Sequence, residues 1–164
     1  MKFSSHTVQA RHDSPLGPII LAMSTHALCG LWFDGQRHQP DNSAWPESQN
    51  HTVAKQTRAQ LDEYFAGQRT DFDLPLELVV GTTFQQAVWH ALLRIPAGTT
   101  RSYRALSADI GRPDAVRAVG GAIGRNPLSI VVPCHRVIGT RGALTGYAGG
   151  LERKTALLQL ESVH

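Results

Sequence analysis

An α/β half followed by an α-helical half is the fold class this sequence predicts, and three features predict it. Short apolar runs separated by dense turn signals fill the N-terminal stretch. Apolar stripes at helical spacing take over after Thr83. Charge divides along the same line: residues 1–77 carry six Lys/Arg against nine Asp/Glu, whereas residues 78–164 carry ten against four.

Ser14-Pro15-Leu16-Gly17-Pro18 is turn punctuation, and Ile19-Ile20-Leu21-Ala22-Met23 after it has strand composition. Ser24-Thr25-His26 makes a second turn, and Leu28-Cys29-Gly30-Leu31-Trp32-Phe33 reads as the returning strand of a small antiparallel sheet. Residues 34–50 are polar, contain two prolines and have no clean period, so a loop is expected. Thr52 to Ala66 reads as a helix with Val53, Leu61, Tyr64 and Phe65 on one face and Gly67 as its stop. Asp71 to Leu76 is a last extended piece or a linker.

In the second half, Thr83 is expected to cap a helix whose stripe is Phe84, Val88, Leu92 and Ile95, ended by Pro96-Ala97-Gly98. Ser102 caps a second helix, Tyr103 to Ile110. After the turn Gly111-Arg112-Pro113, Asp114 caps a third that runs to about Arg125. Helix, short glycine-containing turn and helix form a helix-turn-helix pattern in a basic segment. The third helix lacks the Asn, Gln and Arg array that reads base edges in the major groove; Arg117 is its one long polar side chain. Val116, Val119 and Ile123 form its core stripe, and Arg117 lies off it. Each of its three glycines costs about 1 kcal/mol relative to alanine in a helix interior. Close backbone approach to DNA and close packing on another helix are the two readings of that cost.

Composition excludes other classes. The longest apolar runs are too short to span a bilayer, so no membrane partner is expected. The segment Met1-Lys2-Phe3-Ser4-Ser5-His6 has no signal-peptide core, and the expected location is the cytoplasm. Cys29 and Cys134 suit that reading better than a disulfide scaffold. His6, His12, His26, His38 and His51 lack metal-ligand spacing, so no metal is expected and the N-terminal half reads as scaffold. The excess of arginine in the second half suits phosphate contacts, with nucleic acid the leading candidate; a merely solubilising surface is the alternative.

Chemistry concentrates in Val131-Val132-Pro133-Cys134-His135-Arg136-Val137. Ile130-Val131-Val132 has the composition of a buried strand, and Pro133 ends any strand ladder, which lifts Cys134 out of regular structure. Thiols react as thiolates, and His135 and Arg136 are the neighbours expected to lower the Cys134 pKa. The plain alternative is a buried structural cysteine. Adjacent residues on a strand point oppositely, so pairing Cys134 with His135 needs a turn at Pro133 or an intervening water. Arg136 is expected in a structural ion pair rather than on a phosphate. Glycines 139, 142, 146, 149 and 150 suggest a shaped loop over a pocket.

Pro133-Cys134-His135-Arg136-Val137 follows Arg117-Ala118-Val119-Gly120-Gly121-Ala122 and Asn126-Pro127, and precedes Gly146-Tyr147-Ala148-Gly149-Gly150-Leu151 and Leu157-Leu158-Gln159-Leu160-Glu161. In this order the motifs closely resemble the O6-alkylguanine-DNA alkyltransferases, densely from Thr83 to Glu161 and more loosely in residues 14–18 and 64–67. The resemblance implies an N-terminal α/β domain over residues 1–76 and a helical, winged-helix-like DNA-binding domain over 77–164. It implies irreversible, single-use transfer of an alkyl group from guanine O6 in double-stranded DNA to Cys134, with no cofactor and the base flipped from the minor-groove side. Through a water, His135 would be the base for Cys134, with Glu161 orienting the imidazole and Asn126 bracing the active-site turn. Tyr103 would donate to guanine N3, and Arg117 would fill the gap left by the flipped nucleotide. Thr83, Ser102, Ala118, Gly120 and Gly121 would meet DNA, while Val137, Gly146, Tyr147 and Ala148 would wall the base pocket. Gly146 and Ala148 stand where some relatives carry polar side chains, which leaves contacts there to backbone N–H groups. The expected state is a monomer, with cooperative assembly on DNA left open, as is activity on O4-alkylthymine.

Two rivals make different predictions. A cysteine hydrolase built on Cys134, His135 and a carboxylate or Asn126 would turn over through a labile acyl intermediate. A non-reactive DNA-binding module would have no use for Cys134.

Overall fold

The computed structural model describes residues 2–162. Its N-terminal half is a three-stranded antiparallel sheet in the order β1-β2-β3, from β1 (Val8–Ser14), β2 (Gly17–Met23) and β3 (Leu28–Phe33). Ile19, Leu21, Met23, Leu31 and Phe33 alternate onto one face and join the main core, while Ile20, Ala22, Cys29 and Trp32 face the other way. Phe3 and Trp45 pack against that second face, so β2 is buried on both sides despite its antiparallel partners. Strand β1 escaped the sequence reading because its inward positions, Val8, Ala10 and His12, make a weak apolar alternation. Helix α1 (Thr52–Phe65) buries Val53, Ala54, Leu61 and Tyr64, and Gly67 adopts φ 75° just beyond it.

The C-terminal half contains α2 (Thr83–Leu92), α3 (Tyr103–Asp109), α4 (Val116–Gly124) and α5 (Leu151–Glu161). Two-residue strands β4 (Arg101–Ser102) and β5 (Val137–Ile138) pair in parallel. Helices α3 and α4 are the expected corner, and Trp89 of α2 ties to α4 by donating its indole N–H to the Ala122 carbonyl at 2.9 Å. Ser102 caps α3 as expected, its hydroxyl accepting from Ala105 N–H.

Three expectations are corrected. The cap of α2 is Thr82, not Thr83: Thr82 Oγ1 accepts from Gln85 N–H and Gln85 Oε1 accepts from Thr82 N–H, a reciprocal capping box. Its last turn tightens after Leu92, with Arg94 N–H bonded to Ala91 O and Ile95 N–H to Leu92 O. Helix α4 is not capped by Asp114. The preceding turn closes through Ala115 N–H to Arg112 O, which moves the N-cap to Ala115 with no side-chain cap. Ile130-Val131-Val132 is not a strand, because Ile130 sits at φ 72°, a left-handed conformation that β-branched residues rarely adopt.

Edge strand β3 joins the two halves. Leu31 N–H donates to Pro127 O at 2.8 Å and Ser129 N–H donates to Leu31 O at 2.9 Å, pinning residues 127–129 to the sheet. Arg153 of α5 reaches back to the β1–β2 turn, donating to Leu16 O at 2.9 Å while its guanidinium lies 4.5 Å from the Phe33 ring centroid.

Candidate active site

Asn126 organises the segment that presents the thiol. Its Oδ1 accepts from Leu128 N–H at 3.0 Å and its Nδ2 donates to Val132 O at 2.8 Å, so one amide spans the reversal that Ile130 creates. Pro133 then leads into a 3-10 turn, Cys134–Arg136, which supplies the turn needed to bring neighbouring side chains to one site. Cys134 is only 4% exposed, yet it borders a cavity of about 380 Å³. Tyr103, Gly120, Ile123, Gly124, Gly146, Tyr147, Ala148, Gly150 and Leu151 line this cavity, joined by Arg37 and His38 from the N-terminal half.

Behind the thiol lies a buried charge cluster. His135 is wholly buried, and its Nε2 lies 2.7 Å from Glu161 Oε1. Arg136 makes a two-pronged pair with the same carboxylate, Nε to Oε2 at 2.9 Å and NH2 to Oε1 at 2.8 Å, and donates NH1 to Ile95 O at 2.6 Å. Tyr64 from α1 donates its hydroxyl to Glu161 Oε1 at 2.8 Å. Burial works against the Glu161 charge, but donation from His135 and Arg136 outweighs it and brings the carboxyl down to about 2. An ionised Glu161 accepts, so Nε2 carries the imidazole proton and Nδ1 keeps its lone pair. That Nδ1 is buried and has no hydrogen-bond partner among the described residues. Burial also lowers the His135 pKa, which favours the neutral ring.

The Cys134 thiol departs from expectation. Burial raises its pKa, and the influences that oppose this are the Asn126 side chain, the Lys154 charge, its own backbone and Tyr147. Arg136 is committed to Glu161 and does not lower it. Lys154, which sequence reading missed, is wholly buried on α5 and donates Nζ to Val137 O at 2.6 Å, Thr145 O at 3.0 Å and Gly146 O at 3.2 Å. It therefore ties the start of the glycine-rich loop to its middle. The signal was present, since Lys154, Leu157 and Glu161 share one helical face.

Two models of one family match nearly end to end: the 6-O-methylguanine DNA methyltransferase ribonuclease-like domain over residues 8–78 and the DNA-binding domain over residues 83–163. The chain belongs to the 6-O-methylguanine DNA methyltransferase family. A methylated-DNA–protein-cysteine methyltransferase of Mycobacterium leprae is 52% identical over 150 residues, which cover 91% of this chain and 88% of the relative. The constitutive enzyme of the same name from Bacillus subtilis is 48% identical, with coverages of 92% and 93%. Among solved structures, the Mycobacterium tuberculosis O6-methylguanine methyltransferase is similar with TM-score 0.87 and 48% identity, covering 96% of this chain and 93% of that one. The M. tuberculosis OGT in complex with DNA gives TM-score 0.86 and 47% identity at the same coverages.

Within this family fold, the residues expected at the site divide by location. Cys134, Tyr103, Tyr147, Ala148, Gly146 and Gly120 border one cavity, and His135, Glu161 and Asn126 lie in the buried layer around the thiol. Tyr103 donates its hydroxyl to Thr145 O at 3.2 Å, which joins α3 to the glycine-rich loop. Arg117, Ala118 and Gly121 are exposed on α4, Thr83 is exposed at the start of α2, and Ser102 is half-buried as the cap of α3. Val137 is not part of the lining: it is wholly buried, paired with Arg101 in the short ladder. The N-terminal half is more than a scaffold around the site, because Arg37 and His38 come from its loop and Arg37 N–H donates to Ala148 O at 3.0 Å. Cys29 and Cys134 are both free thiols in separate clusters, and burial pushes Cys29 up to about 12.

Proposed function

We propose that this chain repairs DNA by moving a methyl or other alkyl group from guanine O6 to its own Cys134, once per molecule. The observation that carries this reading is a thiol at the border of a base-sized cavity with a carboxylate-anchored imidazole, bare at Nδ1, behind it. Nδ1 of His135 takes the thiol proton through a water. The sulfur attacks the alkyl carbon, the carbon–O6 bond breaks, and its electron pair enters the purine. Tyr103 donates toward guanine N3 as the base gains charge, and protonation returns neutral guanine. The product on Cys134 is a thioether, which water does not readily cleave, so the protein is consumed.

A lesion stacked in a duplex reaches the cavity only by flipping, and Arg117 on the exposed face of α4 fills the gap it leaves. Thr83, Ser102, Ala118, Gly120 and Gly121 form the rest of the DNA surface. The functional division is residues 1–76 as support and 77–164 as the reacting, DNA-binding domain, with Arg37 and His38 overlapping it. No helix among the described residues is long and apolar enough to cross a membrane; we place the protein in the cytoplasm, acting as a monomer.

The test is intact-mass spectrometry after incubation with a duplex carrying one O6-methylguanine. One added methyl group, mapped to Cys134 and saturating at one equivalent, is the expected result. Continued loss of lesion with an unmodified protein overturns the reading and favours a hydrolase.

A further inference from the structure

Tyr64 belongs to a motif, Tyr64-Phe65-Ala66-Gly67, that the proposed reaction does not use. It sits on α1 in the N-terminal half, 97 positions before the carboxylate it contacts. Helical periodicity explains why its ring is buried, since Leu61 and Tyr64 share the inner face of α1, but it does not explain the hydroxyl. A buried phenol needs an acceptor, and an apolar ring would have filled the space without one. The acceptor is Glu161 Oε1, the same oxygen that faces His135 Nε2 at 2.7 Å and Arg136 NH2 at 2.8 Å. Three donors therefore share one oxygen atom.

We propose that Tyr64 is a positioning residue for alkyl transfer, acting through Glu161 to hold His135 in its neutral, Nδ1-accepting form. This rests on the reading of His135 as the base for Cys134. The sharing has a definite direction. Charge that Oε1 gives to the Tyr64 hydroxyl is not available to stabilise an imidazolium on Nε2 and Nδ1. With the phenol in place, the carboxylate orients the imidazole without making it so basic that it is protonated at rest. Burial and the neighbouring Glu161 charge keep the phenol itself protonated, so it remains a donor throughout the working pH range. The N-terminal half thus supplies a group to the reacting site as well as an edge strand that holds it.

Tyr64→Phe removes one oxygen and leaves the ring. Single-turnover methyl transfer from a duplex with one O6-methylguanine, followed from pH 5 to 9, is expected to show the acid limb moved upward by roughly half to one unit. At a fixed pH on that limb the rate falls about three- to tenfold. NMR titration of the His135 ring in the full chain, without DNA, is expected to show the same upward shift. Site-specific replacement of Tyr64 by 3-fluorotyrosine, a stronger donor with nearly the same shape, is expected to move both readouts the other way and covers the case of a poorly folding Tyr64→Phe. If the His135 titration stays put in both variants the proposal fails, even if the melting temperature drops. If the His135 titration moves but the wild-type protein takes up no methyl group, the link between Tyr64 and His135 stands and the alkyl-transfer reading falls.

Discussion

Burial raises the Cys134 pKa while its neighbours only partly reverse the effect, so the resting thiol holds its proton and the reaction needs somewhere to put it. His135 Nδ1 is suited to receive it because Glu161 occupies the other nitrogen. Lys154 adds a fixed positive charge near the sulfur that favours the thiolate as it forms. At 4% exposure the sulfur meets its surroundings only through the cavity it borders. Arg117 stands apart from this cluster, exposed on α4 and in no ion pair among the described residues. On the proposed gap-filling role, Arg117→Ala is expected to slow methyl transfer from duplex DNA by about 10-fold or more, the equivalent of a stacking contact worth roughly 1–3 kcal/mol. Attack on a free O6-alkylguanine base should change less than about threefold, a negligible barrier difference. Single-turnover rates on the two substrates check it, and equal losses would remove Arg117 from the flipping step.

At the scale of elements, α4 shows why a poor helix sequence is used. Beyond the helix's own backbone and chain neighbours, a methyl group at Gly121 or Gly124 would have no heavy atom within 4 Å among the described residues, and one at Gly120 would come only to 3.9 Å of the Tyr103 ring. Close packing on another helix therefore does not explain these glycines: Gly120 and Gly124 border the cavity and Gly121 is exposed beside it, which supports the proposal that DNA approaches the helix backbone here. Gly121→Ala is expected to stabilise the fold by about 0.5–1 kcal/mol in a thermal melt. The same variant should weaken duplex affinity, read by fluorescence anisotropy; unchanged affinity would detach this face from DNA. The helices were legible because apolar stripes and capping residues act within a few positions of one another. The active-site segment was not. Ile130-Val131-Val132 has strand composition, and only tertiary restraint, from Asn126 and the β3 edge, holds Ile130 at positive φ. Arg37, His38 and Tyr64 were invisible as site residues for the same reason, since nothing local marks a side chain whose partner lies in the other half.

At the scale of the molecule, the Glu161 cluster is a fastening between the halves. Tyr64 comes from α1, His135 and Arg136 from the 3-10 turn, Glu161 from α5, and Arg136 also holds the end of α2 through Ile95 O. Its pH dependence follows from the shifts of its members. Glu161 lies at about 2 in the folded protein against an ordinary 4.5, so its contribution is complete above 4.5 and drains away as pH falls toward 2. His135 is also lowered from 6.5, so the unfolded chain binds its proton first and acid again favours unfolding. Both act in one direction, and the protein is expected to lose stability on acidification, gently below 6.5 and steeply below 4.5. Glu161→Gln separates this cluster from other carboxylates. At pH 7 it leaves Arg136 buried without its counter-charge, a loss of about 3–5 kcal/mol. As pH drops below 4.5 the wild-type carboxylate loses its own advantage, so the gap between the two proteins should narrow. Urea denaturation at pH 7, 5 and 3.5 measures that gap directly. A gap that stays constant across the three would show that the carboxylate's charge does not hold the halves together and that shape alone does.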